Sequence, residues 1–224
     1  MSRIYAFFDV DETLIRTKSM FDFFRFWCQL CGNTQALTAF EAEFAELFSS
    51  GLPREDLNRA YYRHLAGLSP QELQSAGEKW WREVSARPGL IIEESLALMN
   101  RLQGEGVEAV FVSGSFDEIL EPVAAQMGVH HILCAPMIIG PGGIYTGEIG
   151  PFPSIGQGKR IAIERFLEGK GAAAKDCWAI GDDLSDLPML EAVGHRAVVG
   201  EASPLADLAK ARGWPVLESG LVAI

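Results

Sequence analysis

The sequence predicts an α/β fold in which a parallel sheet is covered by helices on both faces and carries an all-helical insertion. Three observations support this prediction: a short apolar segment begins the chain, a helical region follows it, and helices then alternate with short apolar segments. Such alternation is typical of parallel sheets whose strands are connected by helices. We expect a core domain formed by residues 1–16 and 87–224, and an inserted helical domain formed by residues 17–86.

The first strand is predicted over residues 3–8, where an apolar run ends at a group of acids. Apolar spacing then indicates helices, and Ser69 with Glu72 has the pattern of a capping box. The predicted helices cover residues 20–32, 34–51, 53–67 and 70–86. The first of them contains an aromatic stripe, most of which we expect to pack between helices rather than to line a ligand pocket.

From residue 87 onward the pattern alternates between helix and strand. The helices are predicted at 91–104, 116–128, 158–167, 185–193 and 204–212. The strands are predicted at 107–115, 129–135, 176–183, 196–199 and 215–218. A glycine-rich turn within residues 137–149 predicts an antiparallel hairpin.

Composition limits the possible functions. The 224-residue chain has a net charge of −11 and no basic run, which disfavours nucleic acids and anionic membranes as partners. It contains no 18-residue apolar run, and its first acids come too early for a signal peptide. We therefore expect a cytoplasmic protein, monomeric or homodimeric. Its cysteines, Cys28 and Cys31 included, are expected to be reduced thiols in the core.

Polar residues follow several of the predicted strands. Asp9 and Asp11 follow the first strand and are spaced to point to the same side if the extended geometry continues. Two carboxylates so close need a cation or a shared proton. Ser113, Gly114 and Ser115 follow the second strand and precede a helix, as in many anion sites. Because ligands bind beyond the carboxyl ends of parallel strands, these residues predict one site.

Two further segments complete this pattern. Lys159 lies in the first turn of a predicted helix, where a positive charge is unfavourable for the helix dipole. This position suggests another role for the residue, such as neutralising a phosphate. The alternative interpretation is an exposed surface lysine. Asp182, Asp183 and Asp186 follow another buried strand. Carboxylates in this number suit a hard cation such as Mg²⁺, although Asp183 or Ser185 is expected to cap the next helix.

Taken in order, the segments DVDET (9–13), VSGS (112–115), GK (158–159) and GDDLSDLPML (181–190) make the sequence similar to the haloacid dehalogenase-like superfamily. Within it, the chain resembles the phosphoserine-phosphatase-like branch, subfamily IB. The resemblance covers nearly the whole chain. It implies a Rossmann-like core with a helical cap of the C1 type, and a Mg²⁺-dependent phosphatase acting on a small phosphorylated metabolite through an aspartyl-phosphate.

The resemblance also implies a role for each site residue. Asp9 would be the nucleophile and Asp11 the acid and base. Mg²⁺ would be bound by the carboxylates of Asp9 and Asp182 and by the main-chain carbonyl of Asp11. The phosphoryl group would be bound by Ser113, Gly114 and Lys159. Supporting roles are implied for Thr13, which would orient the Asp9 loop, and for Asp183 and Asp186, which would order metal-bound waters or hold Lys159.

Two residues depart from the family pattern. Glu12 stands where the family usually has Gly or Ser. Lys18 stands where phosphoserine phosphatases have a Glu that contacts the substrate's ammonium, so L-phosphoserine is not the expected substrate. Lys18 would suit a second anionic group or a hydroxyl-rich substrate. Arg59 and Arg63 are further candidates for contact with the substrate, although for Arg59 we favour a solvated helix face.

The sequence leaves other functions to be separated by experiment. A phosphotransferase or mutase would use the same phosphoaspartate and pass the phosphoryl group to another acceptor. A receiver-type signalling module would be about 120 residues long and would lack the helical insertion. A binding protein on an enzyme fold is disfavoured because Asp9, Asp11, Ser113, Lys159 and Asp182 are all present.

Overall fold

A six-stranded parallel sheet forms the centre of the fold within residues 3–219, the part of the chain that the computed structural model describes. Residues 1, 2 and 220–224 of the predicted core domain lie outside that part. The strands are β1 (Tyr5–Phe8), β2 (Glu108–Val112), β3 (His131–Leu133), β6 (Trp178–Gly181), β7 (His195–Val199) and β8 (Val216–Leu217). Their order is β3-β2-β1-β6-β7-β8, so β1 lies between β2 and β6. The predicted α/β architecture is confirmed.

Both faces of β1 are buried. Alternate side chains of a strand point to opposite faces, so the side chains of β1 divide between two apolar clusters. Tyr5 and Phe7 pack in one apolar cluster, and Ala6 and Phe8 pack in the other. The first cluster includes side chains of α7 (Gln157–Lys170), α8 (Leu187–Glu191) and α9 (Pro204–Arg212). The second includes side chains of α5 (Glu93–Gly104) and α6 (Asp117–Gln126). The continuous apolar run of β1 therefore reflects a strand covered on both sides.

The insertion after β1 is helical. It contains α1 (Ser19–Leu30), α2 (Thr34–Ser49), α3 (Arg54–Arg63) and α4 (Pro70–Val84). The capping box predicted at the start of α4 is present: Ser69 Oγ accepts from Glu72 N at 3.2 Å, and Glu72 Oε2 accepts from Ser69 N at 2.8 Å. In α1, Phe23 and Phe24 are buried in the core as predicted.

The insertion is seated on the core by a close contact between α4 and α6. Gly77 of α4 faces the main chain of Glu118, and a Cβ added at Gly77 would lie 2.1 Å from the Glu118 carbonyl oxygen. Only glycine allows the two helices to approach this closely. A second contact is a hydrogen bond of 2.8 Å from Trp81 Nε1 to Gln126 Oε1.

The predicted antiparallel hairpin is present as β4 (Met137–Ile139) and β5 (Tyr145–Ile149). It packs against α3, whose Arg59 donates hydrogen bonds to the carbonyls of Ile149, Gly150 and Pro151. The interpretation of Arg59 as a solvated surface residue is therefore wrong. Its guanidinium anchors the end of the hairpin, because three main-chain acceptors converge on it.

Two other predictions need correction. The single helix expected over residues 185–193 is a 3₁₀ turn (Leu184–Asp186) followed by the short α8. The turn is tight because the Asp186 carboxylate accepts hydrogen bonds from main-chain N–H groups just before it. Cys31 is exposed at the end of α1 rather than buried, whereas Cys28 is buried. All the cysteines are free thiols. Within residues 3–219, no helix has the length and hydropathy needed to cross a membrane.

Candidate active site

The sheet order brings the predicted strand-end residues together. Asp9 follows β1, Ser113 follows β2 and Asp182 follows β6, and these strands are neighbours. The Asp9 N–H continues the ladder by donating to the Ile180 carbonyl at 2.9 Å. Parallel strands end at the same edge of the sheet, so the loops that follow them converge. All three side chains line one pocket.

Lys159, at the start of α7, is buried and lies in the same pocket. Its Nζ lies 2.7 Å from Asp9 Oδ1 and 2.6 Å from Asp186 Oδ1. Burial alone lowers the pKa of Lys159, but the charges of Asp186 and Asp9 raise it above its usual range. The lysine is therefore a fixed cation of the site, and the alternative of an exposed surface lysine is wrong.

Asp186 organises this part of the site. One of its carboxylate oxygens accepts from Lys159, and the other accepts from the main-chain N–H groups of Asp182 and Asp183 at 3.0 and 3.1 Å. Gly181 leaves room for this carboxylate, since an added Cβ would lie 2.6 Å from it. Both oxygens of Asp186 are thus occupied, which distinguishes it from Asp183.

Asp183 faces the mouth of the pocket. Its carboxylate accepts from Ser185 N at 2.8 Å, caps the 3₁₀ turn and pairs with Arg54 of α3. Although burial raises the pKa of Asp183, the hydrogen bond from Ser185 and the charge of Arg54 hold it below its usual range. Sequence analysis did not identify Arg54, because nothing in the pattern of α3 shows which loop this residue meets.

Asp182 is a candidate metal ligand. Thr13 Oγ1 donates to Asp182 Oδ1 at 2.8 Å, so the hydroxyl of Thr13 links the loop that carries Asp9 to Asp182. Carboxylate oxygens of Asp9, Asp182 and Asp186 all lie within 4.8 Å of one another. Burial and the charge of Asp9 raise the pKa of Asp182.

Three carboxylates this close fit a hard divalent cation, which would relieve their repulsion. All three carboxylates could offer an oxygen to such a cation. Both oxygens of Asp186 also accept from Lys159 or from main-chain N–H groups, whereas the contacts given above for Asp9 and Asp182 involve only the Oδ1 atom of each.

Asp11 has one oxygen that accepts a hydrogen bond and one that is buried without a partner among residues 3–219. Asp11 Oδ2 accepts from Ser19 N, at the start of α1, at 2.9 Å. Asp11 Oδ1 is buried and has no hydrogen-bond partner among residues 3–219. Burial and the charge of Asp9 raise the pKa of Asp11 to about 7. A carboxyl group of this kind can hold a proton near neutral pH and give it to a bound molecule.

The loop after β2 is held from the helical insertion. The Gly114 carbonyl accepts from Asn58 Nδ2 at 2.8 Å and from Tyr62 Oη at 2.9 Å. Within the loop, Ser113 Oγ accepts from Ser115 N at 3.2 Å. Asn58 and Tyr62 lie one turn apart on α3 and were not identified from the sequence. The sequence shows their helical spacing, but it does not show which loop they contact.

The two departures from the family pattern contact each other. Lys18 Nζ lies 2.5 Å from Glu12 Oε2, and both side chains line the pocket. Glu12 has φ of 60°, a left-handed conformation that costs free energy in a non-glycine residue. Lys18 is therefore placed at the pocket as predicted, but its ammonium is already paired.

The remaining lining of the pocket is largely apolar. The cavity has a volume of about 170 Å³. Its apolar side chains come mainly from the helical insertion: Met20, Phe21, Phe48, Leu57, Tyr61 and Ile155. Phe21 belongs to the aromatic stripe of α1, so one member of that stripe lines the pocket while others pack in the core.

Sequence comparison finds one matching family model and several related proteins, some of which are named phosphatases. The chain matches, over residues 6–191, the sequence model of a family described as haloacid dehalogenase-like hydrolase. It is 35% identical over 222 residues to a probable phosphatase of Mycobacterium tuberculosis, covering 96% of this chain and 75% of that protein. It is 26% identical over 221 residues to a histidinol-phosphatase of Neisseria meningitidis, covering 95% and 97% of the two chains.

Solved structures share the fold. A protein of unknown function from Bordetella pertussis superposes with a TM-score of 0.86 at 26% identity, covering 98% of this chain and 100% of that one. A substrate-bound phosphoserine phosphatase superposes with a TM-score of 0.65 at 17% identity, covering 97% and 93%. At that identity the second match establishes the fold alone.

Proposed function

The chain belongs to the haloacid dehalogenase-like hydrolase family, and on that premise we propose that it hydrolyses a small-molecule phosphomonoester through an aspartyl-phosphate on Asp9. It is a phosphoric monoester hydrolase, like the phosphatases it resembles. The main observation that supports the proposal is that Asp9, Asp11, Lys159 and Asp182 all line one pocket. These residues would supply a nucleophile, a proton donor and a fixed cation within one pocket.

The proposed reaction has two steps. In the first, a carboxylate oxygen of Asp9 attacks phosphorus, the bond to the leaving oxygen breaks, and Asp11 gives that oxygen its proton. In the second, water attacks phosphorus and Asp11 takes its proton. The bond between Asp9 and phosphorus then breaks, and phosphate leaves. The unpartnered Oδ1 of Asp11 supports this role, since it has no competing hydrogen bond within residues 3–219.

The phosphoryl group would be bound by Ser113, by the Gly114 N–H and by Lys159, whose charge offsets the negative oxygens. Mg²⁺ bound by Asp9, Asp182 and the main-chain carbonyl of Asp11 would reduce the repulsion between the phosphate and the acidic pocket. Asp186 keeps Lys159 in place, and Thr13 keeps Asp182 in place.

We further propose that residues 17–86 act as a cap domain over a core of residues 1–16 and 87–224. Helices α1, α2 and α3 contribute most of the apolar pocket lining, so closure of the cap would limit access to small substrates. A small phosphorylated metabolite is the proposed substrate. Relatives include a histidinol-phosphatase and a phosphoserine phosphatase, and we do not expect L-phosphoserine to be the best substrate here. A cytoplasmic location and a monomeric or homodimeric state stay predictions.

The test is phosphate release from a panel of phosphorylated metabolites, with Mg²⁺ and with EDTA, by the purified chain and by Asp9→Asn. The panel includes 4-nitrophenyl phosphate, phosphoserine, histidinol phosphate, sugar phosphates and nucleotides. We expect Mg²⁺-dependent release by the wild type and none by Asp9→Asn, whose asparagine keeps the size of the side chain. Hydrolysis of none of the panel, or full activity in Asp9→Asn, would overturn the proposal.

A second measurement addresses the intermediate. Rapid quenching of the wild type with labelled substrate should yield protein-bound phosphate that hydroxylamine releases, as expected for an acyl phosphate. Asp9→Asn should yield none. Transfer of the label to added glycerol would instead indicate the phosphotransferase alternative.

A further inference from the structure

The part of the pocket beyond the phosphoryl site combines an apolar wall with charges that are already paired. We propose that the substrate's leaving group is uncharged there and presents an aromatic or aliphatic surface to the cap. The inference rests on the proposed phosphatase function and narrows its substrate class. It differs from the expectation that Lys18 binds a second anionic group.

The wall is formed by aromatic side chains of different helices. Phe21 of α1 lies 5.7 Å from Phe48 of α2 and 5.9 Å from Tyr61 of α3, measured between ring centroids. Phe48 is 55% exposed and lines the pocket, so its ring is accessible to a bound molecule. Ile155, another apolar residue of the lining, lies against Gly114, where an added Cβ would be 2.7 Å from the Cγ1 of Ile155.

The charges near this wall balance. Lys18 pairs with Glu12, and both side chains are about half exposed, at 49% and 45%. Arg54 pairs with Asp183 and also donates to Ser185 Oγ at 3.0 Å. Each pair consists of one cation and one anion, so the two pairs together add no net charge at the mouth of the pocket.

The remaining cation of the pocket, Lys159, contacts Asp9 and Asp186. Each cation among the lining residues therefore has a carboxylate partner. A charged group on the leaving group would lose water against Phe21 and Phe48, and it would have to displace an existing partner to regain an ionic contact. An uncharged group avoids both costs and gains free energy from the apolar area it covers.

The volume of the cavity agrees with a small leaving group. A closed apolar cavity of about 150 Å³ is large enough for benzene. The cavity here, about 170 Å³, must also hold the phosphoryl group. Space on this scale accommodates one ring or a short aliphatic chain beside the phosphoryl group.

The experiment compares phenyl phosphate with its 4-carboxy and 4-aminomethyl derivatives, which differ mainly in the charge of the leaving group. Phosphate release is measured with Mg²⁺ at neutral pH. We expect kcat/KM for phenyl phosphate to exceed that for each charged derivative by about tenfold or more. Phe48→Ala should raise KM for phenyl phosphate and reduce this preference, because it removes apolar area.

A pair of variants tests the charge argument directly. Glu12→Gln frees the ammonium of Lys18 and should raise kcat/KM for the 4-carboxy derivative relative to phenyl phosphate by about two- to fivefold, the scale of an exposed ion pair. The matched control is Glu41→Gln, which breaks a similarly exposed pair with Arg25, at 3.0 Å, outside the pocket lining. It should leave the ratio unchanged.

The outcomes separate this inference from the proposed function. If neither an aryl phosphate nor any phosphorylated metabolite of the panel is hydrolysed, the proposed function fails. If metabolites of the panel are hydrolysed but none of the aryl phosphates is, only the inference is overturned. If all the aryl phosphates are hydrolysed but a charged derivative equals or exceeds phenyl phosphate, only the inference is overturned. An unchanged ratio in Glu12→Gln would likewise overturn the role given to the paired charges.

Discussion

Lys159 Nζ lies 2.7 Å from Asp9 Oδ1, and both side chains are almost completely buried. The lysine thus contacts the carboxylate proposed to attack phosphorus, and its second partner, Asp186, keeps it there. A buried ion pair of this kind is costly to break, because the remaining charge is left without compensation. The site is therefore tied to the stability of the fold as well as to the chemistry.

Lys159→Met should abolish turnover and destabilise the metal-free protein. Removing the ammonium leaves Asp9 and Asp186 buried without their cation, which costs about 3–5 kcal/mol. Urea unfolding monitored by circular dichroism measures the loss. Added Mg²⁺ should restore part of it, since a cation then lies near the same carboxylates. The control is Lys175→Met, an exposed position in the turn before β6, and this variant should unfold like the wild type. Equal stability of the two variants would contradict the prediction.

Asp11→Asn should slow the reaction by about 10²–10⁴-fold, the usual contribution of acid and base assistance. The loss should be larger for an alkyl phosphate than for 4-nitrophenyl phosphate, because a nitrophenolate leaves without needing a proton. The asparagine can still accept from Ser19 N, so the start of α1 is preserved. Steady-state kinetics on both substrates decide the matter. An equal loss on the two would argue against proton donation by Asp11.

Tyr62→Phe should lower kcat severalfold while changing stability by about 1 kcal/mol, the net value of one hydrogen bond. The hydroxyl of Tyr62 holds the Gly114 carbonyl, so its removal loosens the loop that would bind the phosphoryl group. Gln126→Ala is the control, because it also removes a hydrogen bond between the insertion and the core, to Trp81, outside the pocket. If both variants lowered kcat equally, a specific role for Tyr62 would be excluded.

Glu118→Gln should make stability less dependent on pH. Burial raises the pKa of Glu118 above its usual value, although the hydrogen bond from Tyr145 lowers it somewhat. The folded protein therefore holds this proton more tightly than the unfolded chain, so stability falls as pH rises above the unfolded pKa of about 4.5 toward the folded value. Glutamine cannot ionise and removes that loss.

The measurement is urea unfolding of the wild type and Glu118→Gln at several pH values from 4 to about 8. The stability of the variant relative to the wild type should increase with pH across this window. A difference that is constant, or that decreases with pH, would show that Glu118 is not held protonated by the fold.

The sequence predicted the parts of the site that follow from sheet geometry. Asp9, Ser113 and Asp182 each end an apolar strand, and strand ends in a parallel sheet must converge. It did not predict which side chains of the insertion would meet these loops. Asn58 and Tyr62 lie on α3. The periodicity of that helix predicts which of its faces is buried, but not which segment of the core packs against that face.

The pairing of Glu12 with Lys18 could not be predicted for a related reason. Each residue departs from the family pattern, and taken singly each places a charge near the phosphate without explanation. In the structure Glu12 has a left-handed conformation and pairs with Lys18, and no pattern in the sequence specifies that conformation. Two anomalies in the sequence are thus one contact in the structure.

The glycine at position 77 has a consequence that reaches beyond its own helix. Any larger residue would push against the Glu118 main chain and separate α4 from α6. Because α1 also packs on α4, the displacement would pass to the aromatic side of the pocket. A single methyl group added at this buried contact between two helices would therefore change which substrates enter, without touching any residue that meets them.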